Sequence, residues 1–222
     1  MRFRRLTLLT ATLAIVALGA SPASALPTTF RAGPATVPLP SGSLITLSGP
    51  SDPATLLLTS GTTGDIRCTK TVLGLTVGVS HGVELTGTLR NLTFESCTDS
   101  LPFDAFPSCS LANNAPTPTV RIDPNASGGR IRSTFYVRCA DTAVPGYGCY
   151  YLLSDVKGTY TNSNATLAYS NVSFSYQTPF FTSDSLGSDR CGNFGTLTAS
   201  LTSVTWFHGT TTTSTKVAIT AS

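Results

Sequence analysis

Histidine is nearly absent from this sequence: His81 and His208 are the only two in 222 residues. No two cysteines stand in Cys-x-x-Cys spacing, so a zinc site has no signature here, and no cofactor motif is present. Charge is also scarce, with Asp, Glu, Lys and Arg making up 11% of the chain. The apolar run Leu6–Leu18 is interrupted by Thr7, Thr10 and Thr12, and it falls short of the roughly 20 residues that span a bilayer. No later segment is apolar enough to form a transmembrane segment. Helical periodicity of 3.6 residues is missing throughout, which removes amphipathic helices from consideration.

The N-terminus is organised as a secretion signal. Arg2, Arg4 and Arg5 precede the apolar run, and the small residues Ser21-Pro22-Ala23-Ser24-Ala25 end it, as a signal peptidase requires. Residues 1–25 are therefore expected to be removed, by ordinary export more than by the twin-arginine route that Arg4-Arg5 hints at. Of the 14 Lys and Arg residues, three leave with this segment, so 11 remain to balance 11 Asp and Glu. The basic pI thus belongs to the signal and supplies no reason to expect nucleic acid as a partner.

All six cysteines lie beyond the signal: Cys68, Cys97, Cys109, Cys139, Cys149 and Cys191. An even number in an exported chain implies disulfides, and six permit fifteen pairings. The sequential set, Cys68–Cys97, Cys109–Cys139 and Cys149–Cys191, is preferred because each bond closes a compact block of neighbouring strands.

Residues 26–42 are rich in Pro and Gly and read as an extended lead-in with room for a short edge strand. Residues 43–222 read as one domain. Leu73, Leu75, Val77 and Val79 alternate with small or polar residues, as do Ile131, Phe135, Val137 and Cys139. About ten such segments, punctuated by turn clusters, predict an all-β, antiparallel, disulfide-bonded sandwich or barrel. In three segments the apolar set changes parity: Leu85 and Leu89 give way to Leu92 and Phe94, Leu167 and Tyr169 to Val172 and Phe174, Leu197 and Leu201 to Val204 and Trp206. A period-2 strand cannot do this without an extra residue. Bulges or bends are expected near Asn91, Ser170-Asn171 and Ser203, carrying each strand from one packing layer to another.

Chemistry is thinly marked. Gly78-Val79-Ser80-His81-Gly82 fits the G-x-S-x-G pattern, and His208 could complete a Ser80/His208 hydrolase site. That chemistry needs a strand–turn–helix scaffold, whereas Val83-Glu84-Leu85 continues as strand. Glu84, Glu95, Asp99 and Asp104 could serve a hydrolase with dispersed carboxylates but form no recognisable constellation. Asp184, Ser185, Ser188 and Asp189 lack the spacing of a calcium loop. On the hairpin from Thr119 to Cys139, Arg121, Arg130, Arg132 and Arg138 share the polar face, a candidate surface for a cell-wall polymer. Aromatic residues gather at 101–107, 147–151 and 179–181, where they either close the ends of the core or meet a ligand. Asn91, Asn125, Asn164 and Asn171 stand in Asn-x-Ser/Thr.

The blocks SPASA (21–25), LTGTLRNLTFESC (85–97) and DRCGNFGTLTASLTSVTW (189–206) resemble those of small, uncharacterised secreted β-rich proteins of actinobacteria. The resemblance implies an extracytoplasmic β-rich protein and transfers no functional residue. The sequence therefore leads to a secreted or cell-wall-associated, non-enzymatic β domain with a binding or structural role, its partner a wall polymer or another extracellular protein. A secreted hydrolase and an oligomeric membrane-active β protein are the alternatives.

Overall fold

The computed structural model describes residues 28–32, 39–49, 54–60, 62–82, 84–100, 106–177, 183–186, 191–201, 203–208, 211–213 and 217–221. The expected secretion signal, residues 1–25, lies outside the described residues. The strands in chain order are β1 (Thr28–Ala32), β2 (Leu44–Gly49), β3 (Ala54–Ser60), β4 (Thr62–Val77), β5 (His81–Gly82), β6 (Leu85–Asp99), β7 (Ser108–Leu111) and β8 (Thr119–Asn125). They continue with β9 (Gly128–Ala140), β10 (Gly148–Thr161), β11 (Thr166–Tyr176), β12 (Phe194–Leu201), β13 (Ser203–His208), β14 (Thr211–Thr213) and β15 (Val217–Ala221). The all-β antiparallel expectation holds. The count exceeds ten because several long strands are divided into collinear pieces.

The ladder closes on itself. β2 and β3 lie end to end along one edge of β4, from Leu44↔Thr76 to Ser60↔Thr62, and β6 occupies the other edge. β7 and β8 bridge β6 to β9, after which β9, β10, β11 and β12 follow as neighbours. β12 then pairs with β3 and β13 with β2, so the last row meets the first. Counting β2/β3, β7/β8 and β12/β13 as single rows gives a ring of eight antiparallel rows, the hydrogen-bond pattern of a barrel.

Inward side chains form one apolar cluster that includes Leu47, Leu75, Phe94, Ile122, Val137, Tyr151, Leu167 and Leu201. Burying each such side chain contributes roughly 1.5–3 kcal/mol, so the shared core drives ring closure. Bulges fall where the parity changes: the register shifts between Gly74 and Leu75 opposite Asn91 and Leu89, and again between Tyr169 and Val172. Their role differs from the expectation. Leu85, Leu89, Leu92 and Phe94 all belong to the same core, so the extra residue keeps the apolar set facing one interior instead of passing it to a second layer. Near Ser203 the partner changes from β3 to β2, and the side chains of 203–208 lie outside the described residues.

The ends are closed differently. All three expected disulfides form: Cys68–Cys97, Cys109–Cys139 and Cys149–Cys191. They gather at one end, two of them joining residues directly opposite in the ladder. Such bonds persist in oxidising compartments. At the other end sits a small sheet in the order β15-β1-β5. The lead-in thus belongs to the fold, and β1 has a partner on each side instead of forming an edge. Val217 and Ile219 of β15 are buried. The Tyr160 hydroxyl donates to the Val217 carbonyl, while Asn162 accepts from the Ile219 N–H at 2.9 Å and donates to its carbonyl at 2.7 Å. The Asn162 amide thereby substitutes for a neighbouring strand.

Candidate functional site: a polar groove on the outer wall

Two small apolar voids lie within the core. One of about 20 Å³ lies between Ile45, Ile131, Tyr160 and Ile219, and one of about 10 Å³ lies between Phe94, Phe135 and Leu197. Small-molecule sites occupy roughly 300–1,000 Å³. At about 20 and 10 Å³ these two voids are packing defects and not ligand sites.

The outer wall carries a groove of about 350 Å³, lined by Thr119, Arg121, Arg132, Ser133, Thr134 and Asp155. It arises from two departures from ordinary sheet design. First, Arg121 of β8 lies directly opposite Arg132 of β9. Like charges at this position oppose pairing. Glu84 offsets Arg121 by accepting from its Nε at 2.5 Å and its Nη2 at 2.6 Å. Asp155 offsets Arg132 at 3.2 Å, and Asp123 lies 3.7 Å from the same guanidinium. Second, Asp155 stands in a bulge of β10, where Ser154 and Asp155 together face the single residue Thr134. Its φ is +48°, in the left-handed region that Asp tolerates better than most residues. The bulge turns the Asp155 carboxylate toward β9, and Lys157 holds it from the other side at 3.0 Å.

The charges that line the groove are paired. Three cations (Arg121, Arg132 and Lys157) interlock with three carboxylates (Glu84, Asp123 and Asp155). Hydrogen bonding from Arg121 holds the Glu84 carboxyl below its usual range, and the same contact raises Arg121. Lys157 first, and then Arg132, hold Asp155 below the usual aspartate range.

The four arginines of the Thr119–Cys139 hairpin do not act together. Arg121 and Arg132 line the groove, and Arg130 is exposed one register step away, opposite Asp123. Arg138 is six residues from Arg132, about 20 Å along the strand. Its Nη2 donates to the Gly146 carbonyl at 2.8 Å and meets Asp184 at 3.2 Å. The guanidinium lies over the Tyr150 ring, 5.8 Å from the centroid. Arg138 therefore braces the disulfide-closed end and leaves the patch.

The remaining candidates resolve into local structure. Ser80 follows β4 and precedes β5, with strand and not helix on its far side. The turn is held by Thr86, whose carbonyl accepts from Gly78 and whose hydroxyl accepts from Val79. β2 intervenes between the strands that carry His208 and lead to Ser80, a separation of about 10 Å between strand axes, and the His208 side chain lies outside the described residues. Glu95 is paired with Lys70 at 2.6 Å. Phe106, Tyr150 and Tyr151 close the core, Tyr147 is exposed, and 101–105 and 178–182 lie outside the described residues. The Asn-x-Ser/Thr pattern has a conformational cause at two sites. Asn125 and Asn164 each accept from the backbone N–H two residues on, at Ser127 (3.0 Å) and Thr166 (3.2 Å), the geometry of an Asx turn. Among the described residues, no group of three His, Cys, Asp or Glu side chains converges.

Asp155 is the charged groove residue that sequence reasoning missed, while Glu84, considered as a hydrolase carboxylate, is the partner of Arg121. A signal for the bulge was present: Tyr151 and Leu153 point inward, then Val156 and Tyr160 do, the same parity change that marked the other bulges. No protein-family model matches the chain, and no curated protein or solved structure matches it.

Proposed function

We propose that this chain is a secreted or wall-associated, non-enzymatic β domain that binds a cell-wall polymer along its outer wall. The observation that carries this reading is the 350 Å³ polar groove on the surface of a cross-linked frame. Two further features support it. The groove carboxylates are held in their ionised form by cations, which suits fixed hydrogen-bond acceptors and not a general acid poised near neutral pH. The three disulfides and the signal-like N-terminus agree with work outside the cytoplasm.

The test is co-sedimentation of the oxidised chain, residues 26–222, with insoluble actinobacterial cell-wall polysaccharide. Retention is expected for the parent protein and reduced retention for Arg121→Ala/Arg132→Ala. Absence of co-sedimentation, or equal retention of the double variant, would remove the proposal.

A further inference from the structure

The groove's chemistry narrows the ligand. We propose that it takes a neutral oligosaccharide, recognised through its hydroxyl edges by the Arg121 and Arg132 guanidinium groups, the Asp155 carboxylate and the hydroxyls of Thr119 and Ser133. This rests on the wall-binding reading above and goes further by choosing among polymers.

The argument begins with charge. An anionic chain would need guanidinium groups without carboxylate partners, yet both that line the groove are paired, Arg121 with Glu84 and Arg132 with Asp155 and Asp123, and Arg130 lies outside the lining. Arg132 is already engaged by Asp155 through Nε at 3.3 Å and Nη2 at 3.2 Å, with Asp123 beyond Nη1. A phosphate or uronate arriving there would meet carboxylates at hydrogen-bonding range of the same nitrogens. A sugar diol meets no such conflict, because each hydroxyl both accepts and donates. It accepts from a guanidinium N–H and donates to a carboxylate or a threonine oxygen.

Next comes geometry. Glu84 occupies the Nε–Nη2 edge of Arg121, which places Nη1 outside that pair. The Ser133 hydroxyl donates to the Thr119 carbonyl at 2.9 Å, which orients its lone pairs as acceptors. Donors and acceptors are thus fixed by their neighbours before a ligand arrives, which reduces the ordering cost of binding. The groove is lined by no aromatic ring, so contact is through hydroxyl edges and not through a stacked sugar face. Single-site affinity is accordingly weak, about millimolar, and retention on a polymer arises from repeated units.

The experiment titrates the ¹⁵N-labelled chain, residues 26–222, with cellohexaose, chitohexaose and hexagalacturonate. Backbone amide shifts are followed at about 20 and about 200 mM salt. Either neutral hexamer is expected to shift the amides of Arg121, Arg132 and Asp155, with little dependence on salt. Arg132→Gln and the charge-conserving Arg121→Lys are each expected to weaken binding about tenfold, since the fork and not the charge is read. Both variants are checked by thermal unfolding, and Thr198→Ala, on the opposite wall, serves as a control with binding unchanged.

Preference for hexagalacturonate, retained by Arg121→Lys and falling steeply with salt, would overturn the neutral-sugar inference while leaving wall binding in place. So would the absence of groove shifts with any hexamer in a protein that still co-sediments with wall polysaccharide. Failure of co-sedimentation would remove the broader reading as well.

Discussion

The backbone N–H of Asp155 donates to the Thr134 hydroxyl at 2.9 Å, and Asn171 and Thr198 repeat this arrangement at 3.2 Å in another bulge. In both, the bulged residue has positive φ, +48° and +49°, and the single residue opposite is a threonine. The hydroxyl replaces the ladder carbonyl that the bulge displaces. Threonine therefore does more in this chain than decorate a polar face.

Thr198→Ala is expected to lower stability by about 1 kcal/mol through the lost bond. Asn171→Gly should be nearly neutral, because glycine adopts positive φ freely, while Asn171→Val should cost about 1–2 kcal/mol. Urea unfolding of the three variants checks this. Equal stability of the glycine and valine variants would contradict the conformational account.

The disulfide pairing predicts three linked peptides in a non-reducing digest. Replacing Cys149 and Cys191 with serine should cost about 2–4 kcal/mol. That bond secures Cys191, whose carbonyl receives the Tyr151 hydroxyl, so hydrogen exchange should rise first around 183–193.

At the opposite end, Asn162→Ala removes two hydrogen bonds to Ile219, worth about 2 kcal/mol together, and should release β15 before the ring opens. Burial pushes the Tyr160 hydroxyl up to about 12 from its ordinary 10.0. A raised folded value means that this contribution is complete below the ordinary value and lost as pH climbs through the folded one. Alkaline exposure of β15 is therefore expected between those limits. The amide exchange of Ile219 reports it, and Tyr160→Phe should abolish the pH dependence.

Acid acts on the groove with the opposite sign. The ordinary values for Glu84 and Asp155 are 4.5 and 3.8, and both folded values lie lower. Depressed folded values give a contribution present above the ordinary value and lost as pH falls through the folded one. Carboxyl NMR titration should place both midpoints below those ordinary values, and Arg121→Gln should return Glu84 toward 4.5. An unmoved Glu84 midpoint would show that the pair does not persist in solution.

Much of the fold was legible along the chain because its causes are local. Alternation in Leu73–Val77 and Ile131–Cys139 defines an inward face whatever lies across from it. The parity changes at Asn91 and Ser170-Asn171 located bulges for the same reason, although one chain segment does not say that both halves face a single interior. Two of the sequential disulfides join strands that are ladder neighbours, β4 with β6 and β7 with β9.

The groove was legible only in part: Arg121 and Arg132 stand on the polar face that the alternation marks, but their meeting with Asp155 and Glu84 depends on register between strands. Arg121 and Arg132 are eleven positions apart in the chain, and the Ile122↔Ile131 register sets them face to face. Asp155 and Glu84 come from β10 and from the start of β6, each brought in by a different ladder contact. Arg138 has the same residue type and the same strand parity as Arg132, yet the folded loop around Asp184 draws it into a brace. By itself, then, the sequence determined strand character, the inward face and the positions of extra residues, since each depends on the chemistry of near neighbours. The tertiary structure decided closure of the ring and which charges meet, since these depend on residues brought together from distant parts of the chain.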